Sequence, residues 1–378
     1  MPISRRALLR QIGVSAVASA AVPAPPDLCL PIARLAAFRE SALIRLDKNE
    51  NAYGPSQKSV EAMQSSLTLL NRYPNSETEN LANKIASLHN VTAKQVTLGA
   101  GSIEILRMAG AAFLRPGKKL ILASPTFDAV AGIVSNFGAE VVAIPLTKTY
   151  AHDLDAMLAR TDSSTGLIYI CNPNNPTGTL TPRAELETFL RKVGEKSPVI
   201  IDEAYHHYVK AIPAYASFID HSIDYGRTIV VRTFSKIYGL AGLRVGYAIS
   251  SPELARSLSA NRLQFGINVA GARAAAAALE DPDHVRLSAK RNTDDRQEFF
   301  NQANARMNRW IDSHTNFVML NGGLPPQQIV EHFQKNGILL GPLIHEMPKY
   351  VRVSLGTPKE MLEFWRVWDM LPAHDMAM

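Results

Sequence analysis

The sequence predicts an α/β fold: a large domain with a mainly parallel seven-stranded sheet flanked by helices, then a smaller α/β domain. Three observations carry this reading. Seven short apolar runs lie between residues 96 and 249, each of strand length. Helix-period segments separate many of them, and such alternation builds a parallel sheet covered on both faces. Beyond residue 251 the texture changes to long polar or alanine-rich helical stretches with a few scattered strands.

The runs fall, in order, at 96–98, 120–122, 141–144, 167–170, 199–201, 228–231 and 246–249. They are rich in valine, isoleucine and leucine, as strands buried on both faces must be. Helices are expected over 103–113 and 129–137, and Pro116-Gly117 marks a turn before the second strand. Residues 270–279 are alanine-rich and include Gly271, which reads as a close-packed helix. Residues 283–309 are charged at helical spacing and read as one long helix linking the two domains. Strands of the smaller domain are expected at 317–320, 337–340 and 350–353. Trp365 and Trp368, three apart on a terminal helix, are core residues on this reading, while Asp294-Asp295-Arg296 reads as a solvated helix face. His206 and His207 read as satisfied loop histidines.

The amino terminus has a different character. Ser4-Arg5-Arg6-Ala7-Leu8-Leu9-Arg10 resembles a twin-arginine export signal. A small, apolar stretch follows from residue 12 to 22, and Ala18-Ser19-Ala20 fits a cleavage site. The stretch is short of the roughly 20 apolar residues that span a bilayer, so no stable membrane anchor is expected. Residues 1–30 thus read as signal peptide and linker, and export to the periplasm is the expected destination, with the cytoplasm as the alternative. A net charge of +6 is modest for 378 residues. No basic run interleaved with aromatics occurs, which argues against nucleic acid as a partner. The two cysteines, Cys29 and Cys171, make neither a disulfide framework nor a metal-ligand spacing, and no metal is expected.

Chemistry concentrates in three segments, each at the end of an expected strand. The first is Thr233-Phe234-Ser235-Lys236, followed by Gly242-Leu243-Arg244-Val245-Gly246. A lysine at the end of a buried strand loses its proton readily and serves as an amine nucleophile. The hydroxyls and the arginine suit a phosphate. The second is Val199-Ile200-Ile201-Asp202, with Tyr205 three residues on. A carboxylate there can pair with a pyridinium nitrogen and keep the ring an electron sink. The third is Asn172-Pro173-Asn174-Asn175-Pro176-Thr177-Gly178, a rigid turn whose amides can bond a phenolic oxygen. Open α/β sheets bind ligands at this edge. Lysine, phosphate donors, carboxylate and amide together point to pyridoxal 5'-phosphate (PLP) held as a Schiff base.

With these motifs in place the chain resembles the fold-type I, PLP-dependent aminotransferases of class I/II, and among them the histidinol-phosphate aminotransferases. The resemblance runs from about Leu46 to Pro358. It rests also on Leu46-Asp47-Lys48-Asn49-Glu50-Asn51, Arg72-Tyr73-Pro74, Gly99-Ala100-Gly101-Ser102-Ile103-Glu104, Ser124-Pro125-Thr126-Phe127 and Val351-Arg352-Val353-Ser354-Leu355-Gly356-Thr357. It implies these roles. Lys236 forms the Schiff base and then shuttles a proton. Asp202 holds the pyridinium, and Asn175 and Tyr205 bond the phenolic oxygen. Phe127 stacks on the ring. Gly101, Ser102, Thr233, Ser235 and Arg244 form the phosphate cup. Tyr73 reaches the phosphate of a neighbouring subunit, which implies a homodimer. Arg352 clamps the substrate α-carboxylate. It also implies that residues 31–70 join the small domain, that 71–270 form the large PLP-binding domain, that 271–378 supply the linking helix and small domain, and that one strand of the large sheet runs antiparallel.

The implied activity is transfer of the amino group of an L-amino acid to a 2-oxo acid by a ping-pong cycle. The resemblance places a phosphate-binding arginine just after the strand at 337–340, where this chain has Gly341. Hydrogen bonds to charged groups contribute roughly 1.5–3 kcal/mol each, so histidinol phosphate is not expected as the main substrate. Two alternatives stand beside this reading. One is another PLP reaction on the same scaffold: β-elimination, racemisation or decarboxylation. The other is a non-catalytic PLP-binding regulator, which needs a DNA-binding domain ahead of the fold; only 45 residues precede Leu46.

Overall fold

The structure is a computed structural model and describes residues 43–219 and 226–372. The expected export signal and the linker after it lie outside the described residues. The sequence's apolar runs become strands β2 (Val96–Gly99), β3 (Lys119–Ser124), β4 (Glu140–Pro145), β5 (Thr165–Cys171), β6 (Val199–Asp202), β7 (Thr228–Thr233) and β8 (Gly246–Ile249). They make one seven-stranded sheet in the order β2-β8-β7-β6-β5-β3-β4. The pairings of β4, β3, β5, β6 and β7 are parallel, and β8 runs antiparallel to both its neighbours.

Side-chain alternation splits this sheet's residues between two cores. Ile168, Ile170, Val199, Ile201 and Val230 pack on one side with the helices Asn75–Leu88, Arg183–Val193 and Val269–Leu279. Leu167, Tyr169, Ile200, Ile229 and Val231 pack on the other with Ser102–Phe113, Ala129–Ser135 and Pro252–Ser259. The alanine-rich helix is close-packed as expected: a Cβ at Gly271 would come within 2.8 Å of the Leu243 carbonyl.

A third core forms around β9 (Arg309–Ile311), β10 (Phe317–Asn321) and β12 (Val351–Ser354), an antiparallel sheet in the order β12-β10-β9. Phe299, Phe333, Phe364, Trp365 and Trp368 fill it. The helix Pro358–Trp368 that carries both tryptophans opens with a Thr357–Glu360 capping box. Strand β1 (Ile44–Leu46) pairs in parallel with β11 (Ile338–Leu340), and Leu46 is buried in this same core.

Two sequence readings need correction. The long helix spans Pro282–Ala305 and stops short of residue 309. Met307 takes a left-handed φ of 56°, and Arg309 opens β9, which pairs with β10. Trp310 stacks on Phe300 at 5.3 Å, so packing of an aromatic pair overrides the charged pattern. The stretch Asp294-Asp295-Arg296 is not uniformly solvated. Arg296 is buried and donates to the Thr315 carbonyl at 2.8 Å, and Asp295 accepts from the Tyr53 hydroxyl at 2.7 Å. Only Asp294 faces solvent as read.

Candidate active site

Three parallel strands end side by side and deliver the chemistry. Asp202 is the last residue of β6, Thr233 the last of β7, and Cys171 the last of β5, four residues before Asn175. Their carboxyl ends open into a cleft of about 770 Å³. Ser102, Phe127, Asn175, Asp202, Tyr205, Thr233, Ser235, Lys236, Arg244 and Arg352 all line it. The expected site residues are thus brought together, with two exceptions: Gly101 lies just behind the lining, and Tyr73 lies outside it.

Lys236 Nζ donates to the carbonyls of Lys48 and Asn49, at 3.0 Å each. Burial, with Arg352 nearby as a second cause, lowers its ammonium to about 8. A primary amine held this way is a nucleophile near neutral pH. Asp202 is fully buried. The Tyr169 hydroxyl donates to its Oδ2 at 2.9 Å and the Ala204 N–H to its Oδ1 at 3.0 Å. Burial outweighs both bonds and raises the carboxyl to about 6. An interior carboxylate of this kind calls for a cation opposite it.

The helix Ser102–Phe113 begins at Gly101, whose φ is +77°. A Cβ there would overlap the Arg244 guanidinium. Arg244 itself takes a left-handed φ of 54° and donates from Nη1 to Ser235 Oγ at 3.3 Å. Thr233 Oγ1 accepts from the Ser235 N–H at 3.0 Å and shapes the turn. A helix amino terminus, two hydroxyls and a guanidinium make an anion cradle. Its side-chain-free floor, the buried carboxyl and the low-pKa lysine fit the phosphate, the pyridinium and the aldehyde of PLP.

Arg352, on β12, reaches the cleft from the small antiparallel sheet. Its Nη1 donates to Asn175 Oδ1 and its Nη2 to the Asp47 carbonyl, both at 2.8 Å. Nε is buried and meets no partner within the protein. The Tyr205 hydroxyl accepts from Asn49 Nδ2 at 3.1 Å. Phe127 is half-buried at the cleft wall. Tyr73 is 72% exposed and stacks on Phe265, ring centres 4.2 Å apart.

Sequence reasoning missed several contributors. Asn49 ties three segments together: its φ is 54°, its N–H donates to Ser354 Oγ, and its carbonyl accepts from Asn316 Nδ2. Asparagine tolerates that left-handed geometry, and the polar run right after the Leu46 strand was the available signal. Glu203 and Arg232 form a buried ion pair at 2.9 Å beside Asp202 and Thr233. Nothing local in the sequence announces it, because Glu203 follows the end of β6 and Arg232 lies on the neighbouring β7.

The architecture and cleft together define a PLP-dependent transferase of fold type I. The family model for aminotransferase class I and II matches residues 41–366, and the chain belongs to that family. It is 36% identical over 323 residues to the histidinol-phosphate aminotransferase of Caldicellulosiruptor saccharolyticus, covering 85% of this chain and 90% of that one. Histidinol-phosphate aminotransferase 2 of Pseudomonas aeruginosa is 35% identical over 345 residues, covering 91% and 93%. The histidinol-phosphate aminotransferase of Sinorhizobium meliloti, solved in complex with pyridoxal-5'-phosphate, superposes with a TM-score of 0.81 at 26% identity, over 88% of this chain and 92% of that one. The protein is a PLP-dependent aminotransferase acting on amino and oxo acids. No described helix is long and apolar enough to cross a membrane.

Proposed function

We propose that the protein transfers the amino group of an α-amino acid, admitted through Arg352, and that histidinol phosphate is a poor donor. The carrying observation is the Arg352 guanidinium. It is aimed into the lysine's cleft by Asn175 and Asp47, and its buried Nε has no protein partner. Each Nη keeps one N–H beyond these bonds, and a substrate carboxylate can accept both in parallel. Gly341 argues against a phosphate clamp at its position. Its N–H donates to the Arg352 carbonyl at 2.9 Å, and a Cβ there would stand 2.9 Å from Arg352 Nε.

The residue roles follow from position. Bound in the cleft, PLP supplies an electron-poor ring that stabilises negative charge at a substrate Cα. Gly101, Ser102, Thr233, Ser235 and Arg244 would hold its phosphate, Asp202 its ring nitrogen, and Asn175 and Tyr205 its phenolic oxygen. Phe127 would cover one face. Lys236 Nζ, already lowered toward neutrality, takes the proton from the donor's Cα. Arg352 fixes the donor's orientation, and the buried walls keep water from the reacting carbon.

A homodimer completes the reading. Exposed Tyr73 stacks on exposed Phe265, and Leu67, Leu70 and Leu263, near them in sequence, are exposed too, which suits burial against a second copy. Tyr73 then serves the neighbour's phosphate cradle. The division into residues 31–70 plus 271–378 and 71–270 is supported by Leu46 sharing a core with Phe299, Phe333 and Phe364, although Ala272, Ala275 and Ala278 pack with the large sheet. Export is supported by the arginine pair Arg5-Arg6 with the small apolar stretch after it; fractionation of cells, with the mature terminus sequenced, tests it.

The experiment for the main proposal is a half-reaction screen. PLP-loaded enzyme is mixed singly with common L-amino acids and with histidinol phosphate, and loss of the lysine-bound cofactor band is followed. Conversion by an ordinary amino acid, with histidinol phosphate slow, supports the proposal. Fast conversion by histidinol phosphate overturns it.

A further inference from the structure

Away from Lys236 the cleft has an unusual wall. β4 is an edge strand of the sheet, and its residues alternate: Val142 and Ile144 are buried, while Val141 and Ala143 face the cleft. An edge strand's open face ordinarily carries polar groups. Here Val141 is 37% exposed, and Leu343, across the cleft on the segment after β11, is 44% exposed. Phe127 and Ile344 extend the same apolar surface. Exposed apolar side chains gathered in a concave site mark where a ligand's own apolar part is covered.

Near this wall the lining carries two carboxylates, with the His345 side chain between Ile344 and Glu346. Asp128 and Glu346 both line the cleft. Glu346 is held there, since Ser124 Oγ at the end of β3 donates to its Oε1 at 3.1 Å. That bond joins the large sheet to the segment carrying Leu343 and Ile344. Among the described residues, the lysines and arginines lining the cleft are Lys48, Lys236, Arg244 and Arg352. The last three stand at the amine, phosphate and carboxylate positions proposed above. The Lys48 ammonium lies 3.8 Å from the Asp47 carboxylate. A donor with a distal carboxylate or phosphate would therefore lay its charge against Glu346 and Asp128 with no further lysine or arginine to meet, and His345 as the remaining basic side chain of the lining.

We infer that the donor's side chain is apolar and carries no negative charge, and that Glu346 enforces this from the rim of the apolar wall. The inference rests on Arg352 receiving the donor's α-carboxylate, because that contact sends the side chain toward β4. Specificity here comes chiefly from a repulsive element.

The test compares the holoenzyme with its Glu346→Gln and Glu346→Lys variants. Half-reaction kcat/KM is measured for L-leucine, L-phenylalanine, L-glutamate and histidinol phosphate. Equilibrium binding of two non-reacting acids, 3-phenylpropanoate and glutarate, is measured by calorimetry. Wild type is expected to favour leucine or phenylalanine over glutamate, and 3-phenylpropanoate over glutarate. Glu346→Lys should tighten glutarate and raise glutamate turnover about tenfold at low salt, and the gain should shrink as salt screens it. Glu346→Gln should give a smaller gain in the same direction, because it removes the charge but can keep the bond to Ser124. Glutarate and glutamate values within twofold of wild type in both variants would overturn the inference. So would a wild type that uses glutamate as well as leucine. Failure of the Arg352 reading looks different: no amino acid converts the cofactor and neither acid binds.

Discussion

Arg352 Nη1 donates to Asn175 Oδ1 across 2.8 Å, joining β12 of the small antiparallel sheet to the turn after β5 of the large one. This single bond sets the proposed substrate clamp against the cofactor cleft. The residues come from two separately packed cores, so the clamp's aim depends on how the cores meet.

Arg352→Lys keeps the charge but loses the planar fork that bonds Asn175, the Asp47 carbonyl and a carboxylate together. It should raise KM for amino acid donors about a hundredfold, with a smaller loss in kcat. Half-reaction rates against donor concentration check this, and an unchanged KM would remove Arg352 from the carboxylate site.

Asp202 gives a pH-dependent prediction. Burial raises its carboxyl from 3.8 to about 6. Between those values the folded protein holds a proton that the unfolded chain has released. Stability of the cofactor-free protein therefore falls as pH rises from about 4 to 6 and stays reduced above it. Asp202→Asn removes that cost, so the cofactor-free variant should melt at or above wild type at pH 8. The same variant loaded with PLP should lose Cα proton removal by orders of magnitude, for want of a carboxylate at the ring nitrogen. Thermal melts of both forms, with a single-turnover rate, check the pair of outcomes; a lower cofactor-free melt at pH 8 with a near-normal rate contradicts it.

The fold's strands were legible because burial on both faces forces long apolar runs, such as 167–170 and 228–231. Asp202, Asn175 and Lys236 were legible because each lies within about five residues of the end of such a run. Contacts between distant segments were not. Asn49 holding Tyr205, and Ser124 holding Glu346, depend on chain separations of 156 and 222 residues that no local pattern encodes. The strand at Arg309–Ile311 was hidden because it is three residues long and follows a charged run, with Arg309 exposed and only Ile311 buried.

The Glu203–Arg232 pair should be structural and costly to break. Both side chains are nearly inaccessible, and Glu203 also accepts from Ser217 and the Phe218 N–H. Arg232→Ala leaves a buried carboxylate unpaired and should cost about 3–5 kcal/mol. Urea melts check this, and a loss under about 1 kcal/mol would show that the pair is dispensable.

Tyr73 separates the role of a hydroxyl from that of a ring. Tyr73→Phe keeps the stack on Phe265 and should leave the assembly dimeric while weakening PLP retention. Sedimentation and cofactor titration of one sample check both halves. A monomeric wild type would contradict the dimer, and unchanged retention would remove the hydroxyl from the phosphate cradle.

The most direct test is to reduce the PLP-loaded enzyme with borohydride and map the modified peptide by mass spectrometry. The account predicts the added cofactor mass on Lys236 alone, and none after prior incubation with a good amino acid donor. Label on another lysine, or on none, would contradict the central placement of the chemistry at the ends of β6 and β7.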